Sequence, residues 1–372
     1  MKAQGVDVIN MSVGEPDFMT PEPIKEAGKK AIDDNFSKYS PVPGYPALRN
    51  AISKKLKAEN GLDYAASEII VGTGGKQGVC NAIMALVNPG DEVIIPAPYW
   101  VSYPQMVKLA GGNPVIISAG IEQDFKITAD QLEASITPKT KMIILCSPSN
   151  PTGSVYTKAE LDELAKVVIS HKDVFVLSDE IYEHINYIGK HASIAACPNM
   201  KERTIICNGV SKAYAMTGWR LGWVAAPEWI VKGLNKLQGQ YTSGTSSVSQ
   251  MAALAAYEGN QQCVEDFRKA FQRRRDIIVN LAKDIPGLKV NIPQGAFYLF
   301  PKCSSFFGKS NGKYTINNST DFAMYLLEEG HVATVGGDDF GSPDCFRMSY
   351  ATSDDNIKEA LQRIKDALSK LK

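Results

Sequence analysis

The middle of the chain alternates short apolar runs with longer segments of helical periodicity. Runs such as Glu92–Pro96 and Lys141–Cys146 are almost continuously apolar, as expected for strands of a sheet covered on both faces. Segments such as Lys76–Val87 and Lys158–Ser170 have the spacing of amphipathic helices. This alternation predicts an α/β fold with a largely parallel sheet. The remaining predicted strands are Glu68–Thr73, Asn113–Ser118, Val174–Ser178, Thr204–Asn208 and Leu221–Ala225.

Beyond about Gly259 the pattern changes to long helices separated by isolated short strands. A charged amphipathic helix is predicted over Gln262–Lys283, and a terminal helix over Asp354–Lys370. Between them the pattern predicts strands near Leu288–Ile292 and Phe297–Pro301, a helix at Ser319–Glu329, and strands at Val332–Val335 and Cys345–Ser349. This region is predicted to form a smaller α+β domain.

Composition narrows the class of protein without indicating a function. The chain has 372 residues, enough for two domains, and its 40 basic residues balance 40 acidic ones. Zero formal charge gives no reason to expect nucleic acid or an anionic membrane as partner. Seven dispersed cysteines without a CxxC pair favour reduced thiols in a cytoplasmic protein. With four histidines and no HxxxH pair we expect no metal site, and we expect neither a membrane span nor a signal peptide.

Polar residues follow several of the buried strands. Asn150, Asp179, Tyr182 and Lys212 each lie at or just beyond the end of an apolar run. Alone, each has an ordinary interpretation: most lysines are solvated, and an aspartate after a strand is usually a cap. Together, an amine, a carboxylate, a phenol and an amide are the groups that pyridoxal phosphate requires.

A glycine-rich turn follows the predicted strand Glu68–Thr73 and opens a helix at Gly74-Gly75-Lys76. Backbone N–H groups at a helix start bind phosphate through unpaired donors and the helix dipole. A plain glycine turn is an equally good interpretation of these residues alone. The GxxxxGK[ST] pattern of a Walker A loop is absent.

These motifs in combination resemble the class I aminotransferases of the fold-type I pyridoxal-phosphate superfamily, closest to bacterial aspartate aminotransferases. The resemblance covers nearly the whole chain. It is carried by Gly14-Glu15-Pro16-Asp17-Phe18, Tyr39-Ser40-Pro41, Gly74-Gly75-Lys76-Gln77, Pro98-Tyr99-Trp100-Val101-Ser102-Tyr103, Ser211–Arg220 and Phe346-Arg347-Met348-Ser349-Tyr350.

The resemblance implies a large cofactor-binding domain over residues 37–260 and a discontinuous small domain formed by residues 1–36 and 261–372. It implies a homodimer with shared active sites, because Tyr39 matches a tyrosine that reaches the phosphate of the partner subunit's cofactor. Family members carry a further segment ahead of the position of Met1, which lies over the substrate pocket. Asn150-Pro151 is expected to be a cis peptide.

The resemblance also implies roles at the cofactor ring. Lys212 holds pyridoxal phosphate as a Schiff base and, once freed as an amine, carries the substrate's Cα proton. Asp179 pairs with the pyridinium nitrogen, Tyr182 and Asn150 meet the ring oxygen, and Trp100 stacks on the ring.

Other residues are assigned to the phosphate and the substrate in the same way. Gly74, Gly75, Lys76, Ser211, Arg220 and Tyr39 are expected at the phosphate. Arg347, Gly14, Asn150 and Trp100 are expected at the substrate's α-carboxylate end. The side chain of Lys76 is expected to face the substrate's distal end, which favours an acidic substrate.

The predicted function is a ping-pong aminotransferase that moves the amino group of L-aspartate to 2-oxoglutarate. Alternatives that keep the cofactor are an aromatic, alanine or prephenate aminotransferase, or a carbon–sulfur lyase. A more remote alternative is a non-catalytic regulator on the same fold, against which the retained Lys212, Asp179 and Tyr182 argue.

Overall fold

The computed structural model describes Met1 and residues 5–372. Its strands are β1 Ile9–Asn10, β2 Ile69–Gly72, β3 Glu92–Ala97, β4 Asn113–Ser118, β5 Thr140–Cys146, β6 Phe175–Asp179, β7 Thr204–Gly209, β8 Gly222–Ala225, β9 Tyr298–Leu299, β10 Val332–Ala333, β11 Val335–Gly336 and β12 Phe346–Ser349. Its α-helices are α1 Glu22–Asp33, α2 Pro46–Lys55, α3 Gly75–Leu86, α4 Ser102–Leu109, α5 Ala129–Glu133, α6 Lys158–Ser170, α7 Glu228–Tyr241, α8 Ser247–Glu258, α9 Gln262–Lys283, α10 Ser319–Gly330 and α11 Asp354–Leu368.

A seven-stranded sheet lies at the centre, in the order β2-β8-β7-β6-β5-β3-β4. Only β8 runs opposite to the other six strands, so the sheet is mostly parallel, as predicted. Its strands are apolar because helices cover both faces; β2, β7 and β8 are buried along their whole length.

The parallel strands end at one edge of the sheet. The register pairs Cys146 at the end of β5 with Asp179 at the end of β6, and Asp179 with Cys207 of β7. Open α/β sheets bind ligands beyond the carboxyl ends of their strands. The sheet therefore places the loops after β3, β5, β6 and β7 side by side.

The carboxyl-terminal region forms a second core. The antiparallel sheet β11-β12-β9 packs with α9, α10 and α11, and the amino-terminal strand β1 joins this region by pairing with β10. The pairing of Ile9 with Val332 explains how the chain's beginning contributes to a region formed mostly by its end. The domain boundaries at residues 36/37 and 260/261 stay predictions.

One predicted strand is wrong. Leu288–Ile292 forms no strand; only Lys289 makes an isolated bridge, to Lys302. Ile292 is 52% exposed and Asn291 turns its side chain to the carbonyl of Thr152, so these residues do not build a common apolar face. The predicted strand Val332–Val335 is divided in two, since β10 pairs with β1 and β11 with β12.

In the described part of the chain, no helix is both long enough and apolar enough to cross a membrane.

Candidate active site

Most of the predicted site residues line one cavity of about 690 Å³ beyond the strand ends. These are Gly14, Gly75, Lys76, Trp100, Asn150, Asp179, Tyr182, Ser211, Lys212, Arg220 and Arg347. Gly74 directly precedes the start of α3 and adjoins Arg220. Tyr39 does not line this cavity, and its side chain is 98% exposed.

Neighbouring strands bring the central residues together. Asp179 is the last residue of β6, while Asn150 follows β5 and Lys212 follows β7. Asn150-Pro151 is a cis peptide, as expected. Arg347 comes from the other region of the chain, on β12, and closes the cavity from that side.

Lys212 is an amine within the cavity wall. Its Nζ donates a hydrogen bond to the carbonyl oxygen of Gly14 at 2.6 Å and lies 5.7 Å from the ring centroid of Tyr182. Burial lowers the pKa of Lys212 to about 8, although the charges of Glu15 and Asp179 act in the opposite direction. A substantial fraction of this amine is therefore neutral near pH 8, the form that attacks a carbonyl or accepts a proton.

Asp179 is a buried carboxylate held in place from behind. Tyr103 donates its hydroxyl proton to Oδ2 at 2.7 Å, and the backbone N–H of Ile181 donates to Oδ1 at 3.3 Å. Burial raises the pKa of Asp179, whereas the hydrogen bond from Tyr103 and the charge of Lys212 lower it. A cation at the cavity side of Asp179 would favour its charged form.

Arg347 is a buried cation with no carboxylate partner among residues 5–372. Its guanidinium donates to Asn150 Oδ1 at 2.8 Å and to the carbonyl of Ser12 at 2.7 Å. Its carbon Cζ lies 4.7 Å from the ring centroid of Tyr298 and 4.9 Å from that of Phe340. Nε is buried and has no hydrogen-bond partner within the described residues. A planar cation held this way is suited to a carboxylate ligand.

The glycine turn at α3 faces a second cation. Gly74 has φ of +81° and ψ of 161°, a backbone conformation that favours glycine, and a Cβ there would also lie 2.5 Å from Nη2 of Arg220. The start of α3, the hydroxyl of Ser211 and the guanidinium of Arg220 converge on this end of the cavity. Such a set of donors fits a phosphate group.

Trp100 and Lys76 form the opposite wall. Nζ of Lys76 lies 4.8 Å from the ring centroid of Trp100, and Trp100 makes an edge-to-face contact with Tyr103 at 5.4 Å. Lys76 and Arg347 are thus two cationic residues that line the same cavity.

Three further residues of the site were not predicted. Tyr103 supports Asp179, Tyr298 contacts Tyr182, and Glu15 lines the cavity beside Lys212. Tyr103 and Glu15 lie within motifs that carry the resemblance, so inspecting every polar member of those motifs would have found them. Tyr298 gave no signal, because an aromatic residue in a buried strand is ordinarily part of the core.

Two of the four histidines, His184 and His191, lie outside the lining of this cavity. His184 Nε2 is 2.8 Å from Glu59, and His191 Nε2 is 2.9 Å from Glu180. Both belong to a network of paired charges that does not line the cavity.

Comparison with known proteins places the chain in a family. The profile described as "Aminotransferase class I and II" matches residues 6–364. The chain belongs to the class I and II aminotransferase family. An aspartate/prephenate aminotransferase of Cereibacter sphaeroides is 49% identical over 367 residues, covering 98% of this chain and 92% of that protein.

Solved structures agree with this family assignment. The aspartate aminotransferase of Rhizobium meliloti superposes with a TM-score of 0.97 at 46% identity, covering 100% of this chain and 94% of the other. That of Thermus thermophilus with maleate gives 0.92 at 40% identity, covering 98% and 93%. The predictions of a fold-type I transferase and of an aminotransferase are confirmed, and the family implies pyridoxal phosphate. The roles of individual residues stay predictions.

Proposed function

We propose that this aminotransferase binds pyridoxal phosphate in the 690 Å³ cavity and transfers the amino group of L-aspartate to 2-oxoglutarate. One observation carries the proposal: the buried residues Asp179 and Arg347 and the partly buried Lys212 are charged groups that have no ion-pair partner among the described residues. Buried charges normally pair. A cofactor with a cationic ring nitrogen and a substrate with a carboxylate would supply the missing partners.

The residues present fit this cofactor. Lys212 would hold its aldehyde, Asp179 its ring nitrogen, and Tyr182 with Asn150 its ring oxygen, and Trp100 would contribute an aromatic surface for the ring. Gly74, Gly75, Lys76, Ser211 and Arg220 would hold the phosphate. When bound, pyridoxal phosphate supplies the carbonyl that takes up the amino group and a ring that accepts electrons from the substrate's Cα.

The chain's own residues would supply binding and proton transfer. Arg347 and the backbone of Gly14 hold the substrate's α-carboxylate and so orient its Cα toward Lys212. Lowered pKa leaves the Lys212 amine able to accept the Cα proton near neutral pH. Asp179 favours the protonated form of the ring nitrogen through its negative charge.

A direct assay tests the reaction. L-Aspartate with 2-oxoglutarate should give oxaloacetate and L-glutamate, and aspartate alone should change the visible absorption of the loaded enzyme once and then stop. Release of ammonia and pyruvate without an oxo-acid acceptor would instead indicate a lyase. Prephenate is the second acceptor to assay, because the relative from Cereibacter sphaeroides is named for aspartate and prephenate.

Lys76 is the residue that we propose to favour acidic substrates. The maleate complex of the relative from Thermus thermophilus supports a site for two carboxylates. A hydrogen bond to a charged group contributes about 1.5–3 kcal/mol, or about 10- to 150-fold in kcat/KM. Lys76→Ala should therefore weaken aspartate and glutamate by that factor and spare alanine and phenylalanine. Equal losses for all four amino acids would mean that Lys76 serves only the phosphate.

We also propose that the enzyme is a homodimer. The extreme exposure of Tyr39, away from the cavity of its own chain, supports a role across a subunit boundary. Mixing Lys212→Ala and Tyr39→Phe chains would then give heterodimers with one native site and restore part of the activity. Lack of complementation would show that each chain completes its own site.

A further inference from the structure

Tyr298 lies at a point where several groups of the site meet, although the proposed function uses none of its atoms. It begins β9 and is fully buried. Its hydroxyl lies 2.7 Å from the hydroxyl of Tyr182. The face of its ring lies against the guanidinium of Arg347, with 4.7 Å between Cζ and the ring centroid.

The backbone at Gly14 makes room for this hydroxyl. A Cβ at Gly14 would lie 2.6 Å from the Tyr298 hydroxyl oxygen, far inside van der Waals contact. The carbonyl of Gly14 in turn accepts the hydrogen bond from Lys212 at 2.6 Å. Gly14 therefore contacts two groups of the site. Its lack of a side chain leaves room for the Tyr298 hydroxyl, and its carbonyl holds the amine of Lys212.

Either phenol of this pair could be the donor, so a ligand that bonds to one of them would decide the direction of their contact. Each hydroxyl has one proton to donate, and within the described residues neither has another hydrogen-bond partner. A negatively charged oxygen in the cavity is a stronger acceptor than a phenol. Tyr182 would donate to that oxygen, and Tyr298 would then donate to Tyr182. Hydrogen bonds in such a chain strengthen one another.

We propose that Tyr298 is a positioning residue that holds the Tyr182 phenol as a hydrogen-bond donor to the ring oxygen of the cofactor. The inference rests on the proposed function. The hydroxyl and the ring of Tyr298 have separable tasks: the hydroxyl acts through Tyr182, and the ring supports the guanidinium of Arg347.

Tyr298→Phe removes the hydroxyl and keeps the ring. We expect kcat to fall about 10-fold while KM changes less than about 3-fold, since the surface under Arg347 is retained. The pH midpoint of the visible absorption change of the loaded enzyme should rise by about one unit, because a weaker donor stabilises the ring oxygen's negative charge less. Tyr298→Leu, which also removes the ring, should in addition weaken binding of succinate, a dicarboxylate without an amino group.

A double-mutant cycle tests whether Tyr298 acts through Tyr182. In a Tyr182→Phe background, Tyr298→Phe should change kcat by less than about two-fold and the pH midpoint by less than about 0.3 units. The reason is that the Tyr182 hydroxyl, through which Tyr298 is proposed to act, is absent. The double variant leaves neither hydroxyl unpaired, which favours its folding. Tyr350→Phe is the matched control: its hydroxyl is buried in the same core and bonds the carbonyl of Ala296 at 3.2 Å.

The outcomes separate this inference from the proposed function. A parent enzyme that forms no visible band with pyridoxal phosphate and transfers no amino group would contradict the proposed function itself. An active parent whose pH midpoint is unchanged in Tyr298→Phe, or losses that add in the double variant, would overturn the role of Tyr298 alone.

Discussion

The segment Asp179–His184 separates two groups of buried charge that are arranged in opposite ways. On its cavity side, Asp179 faces Lys212 and Arg347, and none of the three has an ion-pair partner in the described part of the chain. On its other side, the charges are paired: Glu180 with His191, and Glu183 with Lys55. Glu183 also accepts hydrogen bonds from Asn60 at 2.9 Å and Asn208 at 2.8 Å. Lys55 lies 3.5 Å from a further carboxylate, Glu59.

The two sides shift carboxyl pKa values in opposite directions. Burial raises the pKa of Asp179 and is only partly offset by Tyr103. Burial would also raise the pKa of Glu183, but the positive charges of Lys55, His184 and His191 outweigh it and hold this pKa far below its ordinary value.

This difference in charge pairing distinguishes a ligand-binding site from the part of the fold that supports it. A buried charge without a partner is costly, and it persists where a ligand provides the partner. A network of paired charges contributes to the fold and fixes the position of the residues attached to it. One short segment thus presents Asp179 and Tyr182 to the cavity while Glu180 and Glu183 are anchored by ion pairs on its other side.

The largest expected effect comes from Lys212 and Lys55, which should respond in opposite ways. Lys212→Ala should abolish turnover and leave the fold intact, because it removes a partly buried amine that has no ion-pair partner among residues 5–372. Borohydride reduction of the loaded parent, followed by peptide mapping, should find the cofactor on Lys212. Label on another lysine would contradict the assignment.

Lys55→Met tests the paired side. Removing Lys55 takes away the closest positive charge of the buried Glu183 and leaves two amide hydrogen bonds and the histidine charges, so we expect a loss of at most about 3–5 kcal/mol of stability. Urea denaturation of the loaded protein should report that loss, with kcat of the folded fraction changed far less than in Lys212→Ala. Lys57→Met is the control, since Lys57 is exposed and lies 3.7 Å from the exposed Asp63. Equal stability of the two variants would refute the proposed support role.

The sequence alone predicted the cavity side of this segment but not the opposite side. Asp179, Asn150 and Lys212 could be placed because continuous apolar runs locate strand ends, and parallel strands end at one edge. The opposite side could not be placed, because Lys55 and Glu183 meet only after α2 packs against the sheet. The false strand at Leu288–Ile292 has the same origin: a local apolar pattern does not reveal whether a pairing strand is available.

Asp179→Asn and Glu180→Gln compare adjacent carboxylates with opposite tasks. Asp179→Asn should lower kcat about 100-fold, as expected for loss of a preorganised charge at the reacting group, with little loss of stability. Glu180→Gln should mainly lower stability, because Glu180 accepts hydrogen bonds from Ser178 at 2.8 Å and Ser193 at 2.6 Å and pairs with His191. Activity of Asp179→Asn within a few-fold of the parent would make Asp179 structural only.

The smallest expected effect is a pH dependence of stability due to His191. Burial lowers the pKa of His191, but the charge of Glu180 and its hydrogen bond raise this pKa by a larger amount. The pKa of His191 in the folded protein therefore lies above the ordinary value of 6.5. A histidine with a raised folded pKa contributes stability that is fully present below its unfolded pKa and is lost as pH rises through the folded value. His191→Gln should therefore cost about 1.5–3 kcal/mol near pH 6, the range for a hydrogen bond to a charged group, and progressively less toward pH 9. Urea denaturation of parent and variant across this range measures the difference.

His171→Gln is the control, because the pair of His171 with Glu133 is largely solvent-exposed and should contribute little at any pH. A difference between His191→Gln and the parent that stays constant from pH 6 to 9 would mean that His191 contributes by packing and hydrogen bonding alone, without a charge.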